Sequence, residues 1–163
     1  MTVPIASAIR GCLLGTAVGD ALGLPREGLS PQRAQRLCGD ELRHCLLPGS
    51  GMLSDDTEHA AMTAQALTRH GVDAGAFSRD LAWRLRWWAL ALPPGVGLAT
   101  ARACLKLLLG FPPHRSGVHS AGNGPMMRAP IIGVCFAGDT SAMRAFCDAS
   151  TRLTHTDPKA ATA

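Results

Sequence analysis

The stretch Ser54–Gly71, SDDTEHAAMTAQALTRHG, decides how the chain is read. Acidic residues crowd its first turn, an alanine-rich apolar run follows, and His70-Gly71 closes it. Acidic groups are favoured at a helix N-terminus by the backbone dipole, and glycine commonly sits just past a helix end. The spacing therefore predicts a helix over 54–70. Asp55 and Glu58 have the spacing of a capping box. The same Ser54, Asp55 and Asp56 also present a hydroxyl and two carboxylates at one helix entry, a donor set suited to a hard cation such as Mg²⁺ or Mn²⁺. The residues alone leave both readings open.

Outward from that helix the pattern stays helical. Residues 5–23 read as a helix in which Gly11, Gly15, Gly19 and Gly23 share one face. Each glycine costs roughly 1 kcal/mol against alanine in a helix interior, so the stripe implies close approach by another backbone or a ligand. Ser30-Pro31 starts a second helix, running to Cys38. Residues 39–53 read as loop. Over 75–92, Phe77, Leu81, Leu85, Trp88 and Leu92 recur at helical spacing, and Pro93-Pro94 stops the run. Over 97–109, Leu98, Ala101, Leu105, Leu108 and Leu109 repeat the pattern. The Gly/Pro/Ser/His-rich stretch 110–125 is a long loop, of a length that is usually functional or disordered. Pro125 suits the start of a helix over 125–137, which Pro130 must kink or divide. Asp139 caps a helix over 140–153, with Met143, Phe146, Ala149 and Leu153 facing inward. Asp157-Pro158 begins one more. No strand pair with a hairpin turn is found, so the expected class is all-α, in a single domain over 1–163.

Composition narrows the function. Of 163 residues, 47% are apolar and 17% charged, with no tyrosine, so the chain has a core of aliphatic residues anchored by Trp83, Trp87 and Trp88. The net charge of +4 comes mostly from scattered arginines. No basic stripe interleaves with aromatics, which argues against a nucleic-acid partner and is compatible with an anionic small molecule. The six cysteines form no C-x-x-C pair and read as reduced thiols. Cys38, His44 and Cys45 lack the spacing and the fourth ligand of a zinc site. No run of about 18 uncharged apolar residues is present, so no membrane span is expected, and a cytoplasmic location follows.

Three further motifs carry chemistry. Gly19-Asp20-Ala21-Leu22-Gly23 with Glu27 places carboxylates beside a glycine-rich helix. Gly122-Asn123-Gly124-Pro125, followed by Met126, Met127 and Arg128, is either a turn or a backbone built to approach a ligand ahead of a helix N-terminus. Thr154-His155-Thr156-Asp157-Pro158 places a histidine near a helix end.

In order and approximate spacing, GDALG…E, SDDTE, GNGPMMR and THTDP resemble the ADP-ribosylglycohydrolase family over essentially the whole chain, from about Gly11 to Asp157. The resemblance implies an all-α, orthogonal multi-helix fold with two metal ions, Mg²⁺ or Mn²⁺. It implies that Ser54, Asp55 and Asp56 are metal ligands. It implies that Glu27 or one of the aspartates activates water, and that Gly122, Asn123, Gly124, Met127 and His155 line the ADP-ribose cleft. The implied substrate is an ADP-ribosylated protein or another ADP-ribose conjugate. The family's second metal group, Asp-x-Asp-[Ser/Thr], has no counterpart here, so the chain reads as the N-terminal part of such a domain. The alternatives are a non-catalytic ADP-ribose-binding module or a crystallin-like structural fragment of the same fold.

Overall fold

The structure, a computed structural model, describes residues 3–44, 46, 50–93 and 95–162. Cys45 and Pro94, which enter the sequence reading, lie outside the described residues. The described chain forms α1 (Ile5–Gly23), α2 (Pro31–Cys38), α3 (Asp55–His70), α4 (Ala74–Leu90) and α5 (Leu98–Leu108), then α6 (Pro113–Ser116), α7 (Ala129–Cys135), α8 (Thr140–Arg152) and α9 (Pro158–Thr162). Among the described residues there is no strand, and Val118 and His155 form an isolated parallel bridge. The fold is all-α, as expected.

Helix ends follow local chemistry. Ser30 Oγ accepts from Arg33 N at 3.4 Å, with Pro31 in the first turn of α2. Asp73 accepts from Gly75 N and Ala76 N at the start of α4, and Asp139 from Ala142 N at the start of α8. Pro130 divides its segment, as its missing N–H demands. A 3₁₀ turn over Met126–Arg128 precedes α7, with Pro130 in the first turn of that helix. The predicted Asp55–Glu58 capping box does not form. Ser54 is the cap residue, and Glu58 instead accepts from Trp88 Nε1 on α4 at 2.6 Å.

The core lies among α3, α4, α7 and α8. Leu67, Phe77, Leu81, Leu85, Ile131, Ile132, Phe146 and Leu153 are buried together, with Leu107 from α5. Phe146 packs on Phe77 and Phe136 at ring separations of 5.1 and 4.5 Å. The inward face expected for α8 is the observed one, with Met143 and Ala149 partly buried against this cluster.

Other expectations are corrected. Leu92 is 85% exposed beyond the end of α4. On α5 the buried residues are Thr100, Ala103, Cys104 and Leu107, whereas Leu98, Leu105, Leu108 and Leu109 are exposed. The helix has apolar residues on two sides, and the side with smaller residues faces the core. Its leucine side includes Leu105 and Leu108, which border an apolar cleft of about 320 Å³ shared with Trp88 and Leu92. Trp83 and Trp87 are not core anchors: both are more than half exposed and stack edge-to-face on each other at 5.4 Å.

The glycine stripe of α1 is also open. A Cβ added at Gly11, Gly15, Gly19 or Gly23 would meet nothing within 4 Å. α1 turns Ile9, Cys12 and Leu13 toward the core, leaving the glycines beside exposed Leu14 and Val18. By length and composition, Ile5–Arg26 is apolar enough to cross a membrane, and little of it is buried. Arg10 and Asp20 interrupt it, and Asp20 is engaged by α3, as described below.

These glycines test whether anything covers that face. Gly11→Ala and Gly15→Ala should each raise stability by about 0.5–1 kcal/mol in urea unfolding, because only the helix-propensity gain applies. A loss of stability in either would show that the face is covered in solution. Gly117→Ala should cost about 1–3 kcal/mol, since its Cβ would fall 2.4 Å from the Arg152 carbonyl oxygen.

Candidate active site

Asp20 on α1 fixes the entry of α3. Its carboxylate accepts from Ser54 N (2.8 Å), Ser54 Oγ (2.7 Å), Thr57 N (3.2 Å) and Thr57 Oγ1 (2.5 Å). An aspartate from another helix thus caps α3, beyond the local cap from Ser54 to Asp56 N. Burial works to raise the Asp20 pKa. The hydrogen bonds from Thr57 and Ser54 outweigh it and hold the group below the ordinary carboxylate value.

The neighbouring aspartates shift the other way. Burial pushes the Asp55 carboxyl up to about 6, helped by the charges of Asp56, Glu27 and Asp20. Asp56 is raised by burial and then by Asp20. Negative charge is thus concentrated at one helix entry. Its oxygen chemistry fits a divalent cation: Ser54 Oγ gives its hydrogen to Asp20, and the two aspartates keep carboxylate oxygens for a ligand. The set is partial, because among the described residues no group of three or more His, Cys, Asp or Glu side chains is gathered to hold a metal.

The 110–125 segment is ordered by the chain that follows α8. Val118 N donates to Thr154 O at 3.1 Å, and Thr156 N donates to Val118 O at 2.9 Å. Ser116 Oγ donates to Leu153 O, and Lys106 Nζ to Gly117 O. His119 lies 3.5 Å from Asp157. These contacts carry Gly122 and Gly124 over the imidazole of His155. A Cβ at Gly124 would lie 2.9 Å from His155 Cε1, and one at Gly122 would lie 3.2 Å from Nε2. At Gly124 a side chain would force a shift, and at Gly122 the contact is tight.

Beneath this loop Arg128 is fully buried. Its Nε donates to Ser150 Oγ (2.8 Å), and Nη2 to Ser150 O (3.1 Å) and Thr154 Oγ1 (2.8 Å). Nη1 lies 3.0 Å from His59 Nδ1. Burial draws the Arg128 pKa down to about 10, which leaves it charged near neutral pH. Burial, and then Arg128, hold His59 well below the ordinary histidine value and lower His155 also. Because the guanidinium only donates, His59 Nδ1 accepts and its proton sits on Nε2. Among the described residues that buried Nε2 has no hydrogen-bond partner, and the ring meets Trp88 edge-on at 4.4 Å.

One cleft of about 380 Å³ brings most of the expected site together. Glu27, Asp55, Asp56, Gly122, Asn123, Gly124, Met127 and His155 all line it. Ser54 does not; it lies buried behind the aspartates on Asp20. Sequence reasoning missed Gly95, Gly97, Leu98, Ala99, Thr100 and Ser120, which complete the wall. Gly95 adopts φ +81°, the left-handed region that favours glycine, in the break that the proline pair had marked. Arg128 was quoted within its motif but given no role; its place in an otherwise apolar run was the available signal.

The Asp55 shift predicts a pH effect. A carboxyl whose folded pKa is raised from 3.8 to about 6 favours the folded state fully below pH 4, and this contribution is lost as pH rises through 6. In chelator-treated buffer, Asp55→Asn should therefore raise the melting temperature at pH 7.5 by several degrees. Its advantage should shrink at pH 4.5. Equal effects at both pH values would contradict the charge crowding.

The chain matches the ADP-ribosylglycohydrolase family over residues 1–163. It is 32% identical to an uncharacterised protein of Archaeoglobus fulgidus over 153 residues, 90% of this chain and 49% of that protein. A solved structure described as an ADP-ribosylglycohydrolase-related protein complex superposes with a TM-score of 0.69 at 30% identity. The match covers 97% of this chain and 52% of that one. The chain thus spans about half the length of both relatives. A family match over every residue, on a fold shared at this identity, makes the chain a member of the ADP-ribosylglycohydrolase family.

Proposed function

We propose that the chain serves as the ADP-ribose-binding and first metal-binding part of a hydrolase that removes ADP-ribose from protein side chains or related conjugates. The observation that carries this reading is the single cleft holding the Glu27–Asp55–Asp56 carboxylates together with the Gly122–Gly124 loop, Met127 and His155. Its volume lies in the range of small-molecule sites.

The chemistry requires both parts. Breaking the bond from ribose C1″ to a side-chain N or O develops positive charge at C1″. Carboxylates at the mouth of α3 stabilise that charge. Glu27 or an aspartate can take a proton from water. Held by Asp55 and Asp56, with Ser54 behind them on Asp20, a Mg²⁺ or Mn²⁺ ion would supply Lewis acidity toward ribose hydroxyls and water. The glycine loop lets backbone approach the diphosphate, and buried Arg128 gives this side of the cleft a positive potential suited to an anion.

A second reading is ADP-ribose binding without turnover. It is favoured by the partial set of cation donors among the described residues. One experiment separates the two. The chain is incubated with ADP-ribosylated arginine or serine peptide, with and without Mg²⁺, and free ADP-ribose is measured. Hydrolysis predicts Mg²⁺-dependent release that falls at least about a hundredfold in an Asp55→Ala, Asp56→Ala double variant. No release, with ADP-ribose still raising the melting temperature, supports binding alone. If ADP-ribose neither binds nor is released, both readings fail.

A further inference from the structure

We propose that Arg128 acts on the cleft through Thr154, fixing His155 in the tautomer that carries its proton on Nε2, as a hydrogen-bond donor toward an oxygen acceptor of the bound ligand. The argument is an account of hydrogens. The Arg128 guanidinium has donors only, so Thr154 Oγ1, 2.8 Å from Nη2, accepts from it. Thr154 is wholly buried, and its hydroxyl hydrogen must also find an acceptor. His155 Nδ1 lies 2.9 Å from the same oxygen. If Nδ1 carried the proton and donated to Thr154, the threonine hydrogen would be buried without an acceptor, at the full desolvation cost of that group. Thr154 therefore donates to Nδ1, which leaves the proton on Nε2.

The backbone holds the ring in place. His155 N donates to Thr151 O at 2.8 Å, and the bridge to Val118 pins both neighbouring residues. The edge of the ring bearing Nε2 lies under Gly122 and Gly124, and His155, though buried, is among the residues that line the cleft. A doubly protonated ring would again strand the Thr154 hydrogen and would add a second positive charge near Arg128. The lowered pKa of His155 agrees with this. Arg128 and Thr154 are thus positioning residues. They touch no ligand, and they decide that His155 offers a donor to an acceptor such as a phosphate oxygen. The ligand's identity rests on the ADP-ribose reading above; the tautomer does not.

The test begins with the ligand-free chain labelled with ¹⁵N-histidine, at pH 7.5, with the His155 signals assigned by their loss in His155→Gln. Long-range ¹H–¹⁵N correlation should show Nε2 protonated and Nδ1 bare in the wild type. Thr154→Ser keeps the hydroxyl and should retain this pattern. Thr154→Val removes it and should shift His155 toward Nδ1–H or a mixture. Calorimetric titration with ADP-ribose should show about tenfold weaker binding for Thr154→Val and near-wild-type binding for Thr154→Ser. An Nδ1–H tautomer in the wild type overturns the proposal, whether or not the valine variant folds. An unchanged tautomer in folded Thr154→Val also overturns it. Failure of wild-type chain to bind ADP-ribose, with the expected tautomers present, would count against the ligand assignment alone.

Discussion

The site side of the molecule depends on one buried cation. Arg128 is wholly inside, and among the described residues no carboxylate lies within ion-pair reach of it. A buried charge is tolerated only if its hydrogens are satisfied. Here they are divided among His59 on α3, Ser150 on α8 and Thr154 just beyond it. One side chain on the 3₁₀ turn before α7 therefore ties together the segments that carry the acidic entry and the histidine. The apolar cluster could pack in several nearby ways. The forked guanidinium admits few, because its Nε, Nη1 and Nη2 each meet fixed acceptors on other segments.

Asp20 sets a second constraint, with an internal conflict. Its hydrogen bonds hold the start of α3 and therefore the aspartates that follow. Burial raises the pKa values of Asp55 and Asp56, and the same charge adds to it. An uncharged cap would have fixed the turn without this repulsion. A cation at the aspartates would convert the repulsion into coordination, which makes the arrangement coherent as a binding site and costly as a mere helix start.

Much of this was legible in the sequence, and the failures have a common cause. Ser30 and Asp139 cap helices through short-range hydrogen bonds to residues just ahead, so their elements could be read locally. The division at Pro130 follows from one missing N–H. The buried side of α5 could not be read this way. Leucines mark one side, but Thr100, Ala103, Cys104 and Leu107 face the core, and only the neighbouring helices decide between them. The stripe on α1 failed similarly, because periodicity shows that glycines share a face and not what lies opposite. At the site, the motifs named eight residues that line one cleft, but not the wall from Gly95 to Thr100. That wall comes from the turn at Gly95 and the first turn of α5, whose place in the sequence shows a helix start and not what it faces.

The glycine loop and the histidine also explain each other. Gly122 and Gly124 would each place a Cβ within 3.2 Å of the His155 ring. A histidine free to rotate would give way to a methyl group at modest cost, so small residues above it would not be required. His155 is not free: its backbone is paired to Thr151 and its Nδ1 lies on Thr154, which is held by Arg128. The rigidity beneath the ring is what disfavours a side chain above it, most of all at Gly124. The loop motif and the buried arginine behave as one device, even though 122 and 128 lie in different turns of the chain and Thr154 lies far from both in sequence.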